Sequence, residues 1–182
     1  MLINLNDLTT LAKIRILEYI ERNKNTFPKT GDFKTFLINT KFFTNPQSYG
    51  IQIQNKWMRM FGYKSIAKSK NRGDYKDTDE YVEFKVSYLS NNTWSIVQLR
   101  PYQDVDRYDI MLIDNKYNHI LYKIPSDKMK SLIDKYGDVA HGTKESNSDN
   151  KNIEYRITIK KNMLYEITPF ISDTTIVPHK FF

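Results

Sequence analysis

The chain has 182 residues, a formal net charge of +7, a pI of about 9.3 and no cysteine. That length suits one domain with a substantial core. The charge favours a polyanionic partner, and the missing cysteine excludes disulfides, thiol catalysis and zinc held by Cys.

Met1 to Asp7 is polar and lacks the basic start and apolar core of a secretory signal. No apolar run approaches the ~20 residues needed to span a membrane, so a cytoplasmic protein without membrane contact is expected. Asn6 or Asp7 can cap a helix running to about Asn23, with Leu8, Leu11, Ala12, Ile16, Tyr19 and Ile20 on its apolar face. Pro28 to Gly31 breaks the chain, Asp32 to Asn39 is a short helix, and Asn45-Pro46 is a second break.

A helix is predicted from about Ser48 to Phe61, with Tyr49, Ile53, Trp57 and Met60 or Phe61 at helical spacing. Its Gln52, Asn55, Lys56 and Arg59 lie elsewhere on its surface and can face nucleic acid. A basic stretch follows: Lys64, Lys68, Lys70, Arg72 and Lys76. Such residues suit phosphate contacts, which position a duplex without reading it; Lys68, Lys70 and Arg72 are the candidates here.

Strands are predicted over residues 80 to 90 and 94 to 100, joined by an Asn91-Asn92 turn. Tyr108 to Asp114 and His119 to Lys123 are two more, joined near Asn115. Pro125 to Tyr136 is a helix, with Ser126 as its cap and Gly137 at its end. Ile153 to Lys160 alternates again and is a late strand. Between them, residues 141 to 152 are polar and form a loop. Its His141, Thr143 and Lys144 are candidate contacts to DNA or to another subunit, and its asparagines can pair with base edges. The three histidines are too scattered to give a metal-binding spacing, and no phosphate-loop glycine motif is present.

One constellation carries chemistry. Gly73-Asp74 is followed, nine residues after the aspartate, by Glu83-Phe84-Lys85. Val82, Phe84, Val86 and Tyr88 alternate with Glu83, Lys85 and Ser87, so the segment reads as a strand. Glu83 and Lys85 then share a face, about 7 Å apart along it. Two carboxylates can hold a hard cation such as Mg²⁺. A cation so held stabilises charge on a phosphate and lowers the pKa of a water, and a lysine beside it can orient that water or stabilise the transition state. Asp77, Asp79 and Glu80 compete with Asp74 for the ligand role, but read more naturally as a solvated hairpin turn. Glu-x-Lys by itself is also an ordinary edge strand with solvated charges.

The words Asn71-Arg72-Gly73-Asp74, Tyr81 to Tyr88 and Val97 to Asp104 together resemble the PD-(D/E)XK nuclease superfamily, in particular type II restriction endonucleases. Glycine stands where the motif has proline, and the gap from Asp74 to Glu83 is short for the family. The resemblance covers roughly residues 48 to 160. It implies an α/β restriction-endonuclease-like core, a mixed central sheet flanked by helices, within a single nuclease domain. Residues 1–47 are then an N-terminal helical part, 48–160 the catalytic core and 161–182 a C-terminal extension. It further implies Asp74 and Glu83 as Mg²⁺ ligands, Lys85 as the catalytic lysine and Gln98, on the next strand, as a helper in the same site. In related nucleases an N-terminal helix adds an acid; Glu18 and Glu21 are the candidates, although a surface ion pair explains Glu18 as well. The implied activity is hydrolysis of phosphodiesters in double-stranded DNA. The protein would act as a homodimer, or as the small cleavage subunit beside a larger recognition subunit. Repair and junction nucleases share the core. The competing class is a non-catalytic DNA-binding module, which has no need of two carboxylates facing a phosphate.

Overall fold

Phe33, Phe36, Leu37 and Thr40 recur at helical spacing, and all four are buried in the helix they form, α1 (Phe33–Phe43). The computed structural model describes residues 33–66, 72–140 and 153–172. The predicted N-terminal helix, with Glu18 and Glu21, lies outside them. α1 runs past its expected end at Asn39 because Thr40 fits it: its hydroxyl donates to the Phe36 carbonyl at 2.7 Å. Helix α2 (Pro46–Phe61) starts at the predicted break. Asn45 Oδ1 accepts the Ser48 N–H at 2.9 Å, and Pro46 occupies the first helical position, where no N–H is needed. Packing divides the chain into two compact units, Met1–Tyr49 with Phe182 and Gly50–Phe181.

In the second unit, Ile53, Trp57 and Met60 of α2 are buried as their spacing predicts. Gln52, Asn55 and Arg59 are exposed. The ring of Trp57 stacks on that of Phe84, 6.3 Å between centroids. Gly50 lies against Val86; a methyl group added there would stand 3.8 Å from the valine.

The architecture is mixed α/β. Strands β1 (Lys64–Ser65), β2 (Tyr75–Asp77), β3 (Glu80–Tyr88), β5 (Arg107–Ile113) and β6 (His119–Pro125) form a five-stranded sheet in the order β1-β2-β3-β5-β6. Only the β3–β5 pairing is parallel. Every residue of β5 is buried, as a central strand covered on both faces requires. A second, three-stranded antiparallel sheet has the order β4-β8-β7, with β4 (Thr93–Leu99), β7 (Gly137–Val139) and β8 (Tyr155–Lys160).

The β3–β4 connection differs from the expected hairpin. Asn91 and Asn92 do make the turn, both at positive φ (48° and 61°), as a tight hairpin turn requires. Only Ser90 and Thr93 are bridged across it. β5 pairs with one edge of β3 from Val82 to Tyr88, while β4 pairs with β8 in the other sheet. Trp94 anchors the departure by donating its ring N–H to the Ile113 carbonyl at 2.9 Å.

Helix α3 (Ser126–Tyr136) matches its prediction except at the cap. Pro125 is the cap residue, and its side chain makes no capping hydrogen bond. Ser126 already lies inside the helix, with its hydroxyl buried and unpaired among the described residues. Met129 and Ile133 of α3 join Trp94, Ile96, Ile110, Ile124, Ile157 and Ile159 in one apolar core between the two sheets. No helix among the described residues is long and apolar enough to cross a membrane.

Candidate active site

The site is built on the β2–β3 hairpin. Gly73 has φ +77°, and a Cβ there would meet the Val82 carbonyl oxygen at 2.5 Å. Only glycine permits this approach of one backbone to the other. The approach lets Asp74 N–H donate to Val82 O at 2.7 Å. The Asp74 carboxylate then accepts the Phe84 N–H at 2.8 Å. Asp74 is thus clamped to β3 on both sides of Glu83.

Strand alternation sets the two faces of the sheet. Register pairs Tyr75 with Val82, Lys76 with Tyr81 and Asp77 with Glu80. Tyr81, Glu83 and Lys85 therefore share one face with Lys76, while Glu80, Val82 and Phe84 share the other with Tyr75 and Asp77. On the first face Lys85 Nζ stands 2.6 Å from Glu83 Oε1, with the two side chains 16% and 4% exposed. The second oxygen of Glu83 accepts from Gln103 Nε2 at 3.2 Å. Gln103 is held by a turn, its N–H donating to Arg100 O at 3.0 Å. Tyr108 donates its hydroxyl to the same carbonyl, also at 3.0 Å. Arg100 in turn is paired with Glu154, Nε to Oε1 at 2.8 Å.

These contacts set the electrostatics. Burial and then the nearby Glu83 carboxylate push the Asp74 carboxyl up to about 6, against Lys85, the Phe84 N–H and a hydrogen bond from Gln54. Burial and Glu83 also raise the Tyr108 hydroxyl. Two carboxylates and one ammonium leave the group with one excess negative charge. It is a pair of oxygen donors whose mutual repulsion a cation would relieve.

The competing acids are engaged elsewhere. Arg107, buried, donates from Nε to Asp109 Oδ1 at 2.8 Å and binds both Asp77 and Glu80. Lys123 Nζ approaches Asp77 at 3.7 Å, and Tyr75 donates its hydroxyl to Asp109. This cluster occupies the opposite face of the sheet from Glu83. Asp77 is therefore part of a largely buried ion group and not of a solvated turn, whereas Asp79 is exposed as expected.

Asp74, Glu83 and Lys85 come together as their spacing suggests, but Gln98 does not join them. It lies exposed on β4 at φ +56°, inside the irregular stretch between Ile96 and Leu99, in the other sheet. The glutamines that do reach the carboxylates, Gln54 and Gln103, were missed. Gln54 adjoins Ile53 on the inward side of α2, a placement that helical spacing could have signalled; no periodicity points to Gln103.

Of the candidate DNA contacts, Arg72 is half-exposed. It donates to the Tyr81 hydroxyl at 2.9 Å, lies 5.0 Å over that ring and approaches Asp104 at 3.8 Å. Lys76 Nζ lies 5.6 Å from the same ring and 3.5 Å from Asp79, and Lys64 pairs in register with Lys76. A row of cations thus flanks the carboxylates on their own face of the sheet. Lys68, Lys70, His141, Thr143 and Lys144 lie outside the described residues.

No family model matches this chain. Nor does any curated protein.

Proposed function

We propose that the chain is a Mg²⁺-dependent DNA endonuclease on a restriction-endonuclease-like core, either a type II restriction enzyme or its small cleavage subunit. The observation that carries this reading is the clamp that holds Asp74 across from Glu83 and Lys85, on a face lined by Arg72, Lys76 and Lys64. Lys64 and Lys76 pair in register across strands on this face, with Lys76 Nζ 3.5 Å from Asp79. Their use here is to meet phosphates.

The donor set fits a hard divalent cation. Asp74 and Glu83 offer oxygens, and the raised Asp74 carboxyl reflects a negative charge that its surroundings leave under-compensated. When bound, such a cation supplies a water of lowered pKa and stabilises charge on the scissile phosphate. The protein's own groups do the rest. The Phe84 N–H fixes the Asp74 carboxylate, and Lys85 and Gln103 fix the two oxygens of Glu83. An ammonium has three donors. Glu83 engages one donor of Lys85, and the others are suited to a phosphate oxygen or the attacking water. Arg72 and Lys76 hold the DNA backbone nearby.

The test is cleavage of supercoiled plasmid by the purified chain with Mg²⁺, alongside Lys85→Ala. Linear fragments of discrete length from the wild type, absent with Lys85→Ala, are expected of a self-sufficient enzyme. Nicked circles, or product only when a cell extract supplies a partner, identify a cleavage subunit. Tight DNA binding with no cleavage under any of these conditions would overturn the enzyme reading in favour of a binding module.

A further inference from the structure

A divalent cation on Asp74 and Glu83 needs more than two protein oxygens or many retained waters. Among the described residues no third His, Cys, Asp or Glu converges with them. An amide beside Glu83 offers another oxygen. Gln103 is 5% exposed, and its Nε2 donates to Glu83 Oε2. The other end of the same amide, Oε1, is buried and accepts no hydrogen bond among the described residues. Buried carbonyl oxygens are nearly always paired. This one sits two covalent bonds from the atom that touches Glu83, on an amide held by the Arg100–Gln103 turn. Its orientation follows from chemistry: the end facing a carboxylate that also binds Lys85 must be the NH₂, which leaves the carbonyl free. Amide carbonyls are ordinary ligands of Mg²⁺, Mn²⁺ and Ca²⁺.

We propose that Gln103 completes the cation site: its NH₂ orients Glu83, and its carbonyl oxygen is the third protein ligand beside Asp74 and Glu83. The inference rests on the metal-dependent reading above and adds a ligand to it. It also accounts for the buried, unpaired oxygen, which a bound cation would engage.

The two roles of Gln103 separate by substitution. Gln103→Met and Gln103→Glu both lose the hydrogen bond to Glu83, but only the glutamate keeps an oxygen at the ligand position. Mn²⁺ binding to the free protein is measured by calorimetry and by the loss of the free-ion paramagnetic resonance signal. Thermal melting without metal verifies that each variant is folded. Gln103→Met should weaken Mn²⁺ by more than the roughly 10–100-fold that losing an outer-shell partner costs, while Gln103→Glu binds as well as the wild type or better. If Met and Glu lose affinity equally, Gln103 acts only by positioning Glu83 and the ligand role is overturned. Unchanged binding by Gln103→Met overturns the proposal altogether. Should Gln103→Met not fold, the comparison of Gln103→Glu with the wild type decides, and a large loss there overturns the ligand role. A wild type that cleaves plasmid but binds no Mn²⁺ without DNA also sinks it and leaves the nuclease reading intact. A wild type that neither binds Mn²⁺ nor cleaves removes both.

Discussion

Asp74 is held where a charge is poorly solvated. Its carboxyl is pushed up from the ordinary carboxylate range to about 6 by burial and by Glu83. The folded state therefore binds a proton more readily than the unfolded chain does between about pH 4 and 6. Without metal, that difference contributes stability below this window and loses it as the pH rises through about 6. Asp74→Asn keeps an oxygen for the Phe84 N–H but removes the charge. Denaturant unfolding in chelator should find the variant more stable than the wild type at pH 7, with the gap closing by pH 4. A gap that does not change with pH would mean that Asp74 is not the strained group. The same titration should weaken cation binding below about pH 6, where protons compete for the carboxylate, and plasmid cleavage should fall with it. Asp74→Asn itself should be inactive at every pH despite its greater stability, the usual sign of a site that sacrifices stability for function.

The strands and helices place these groups by alternation, and the opposite face of the same hairpin shows what else alternation determines. Arg107 on β5 joins Asp77, Glu80 and Asp109, and Asp109 is fully buried. Removing one member of such a group leaves buried charge without compensation, which costs about 3–5 kcal/mol. Arg107→Met should therefore lower the unfolding free energy by about that amount, measured in urea at neutral pH. An effect of about 1 kcal/mol or less would mean that water reaches the cluster. Much of this level was legible in the sequence. Period-two alternation located β3 and placed Glu83 and Lys85 on one face. What was not legible depends on pairings between distant segments. Nothing local reveals that β5 takes the edge of β3, so β4 was expected beside it and Gln98 was brought to the wrong place. Gln103 is likewise positioned by a turn, where no periodicity operates. Asp77 read as a turn residue because its partner, Arg107, lies thirty residues away.

At the scale of the molecule, a net charge of +7 matters only if the cations are gathered where phosphates arrive. On the face of Glu83 and Lys85 they are: Lys64 opposes Lys76 across two strands, and Arg72 and Lys76 lie about the Tyr81 ring. A cation that contacts a phosphate releases counterions from DNA, so each lost contact flattens the dependence of log affinity on log salt by about 0.9 for a duplex. The pair Lys64→Ala and Lys76→Ala should then lower that slope by up to about 1.8. Binding should weaken equally for unrelated duplexes, because phosphate contacts carry no sequence information. Fluorescence anisotropy in Ca²⁺, over a range of salt and with two unrelated duplexes, measures both. A loss confined to one duplex would make these lysines readers of sequence instead. An unchanged slope would place the DNA on another face, and the carboxylates of Asp74 and Glu83 would then have no phosphate to act on.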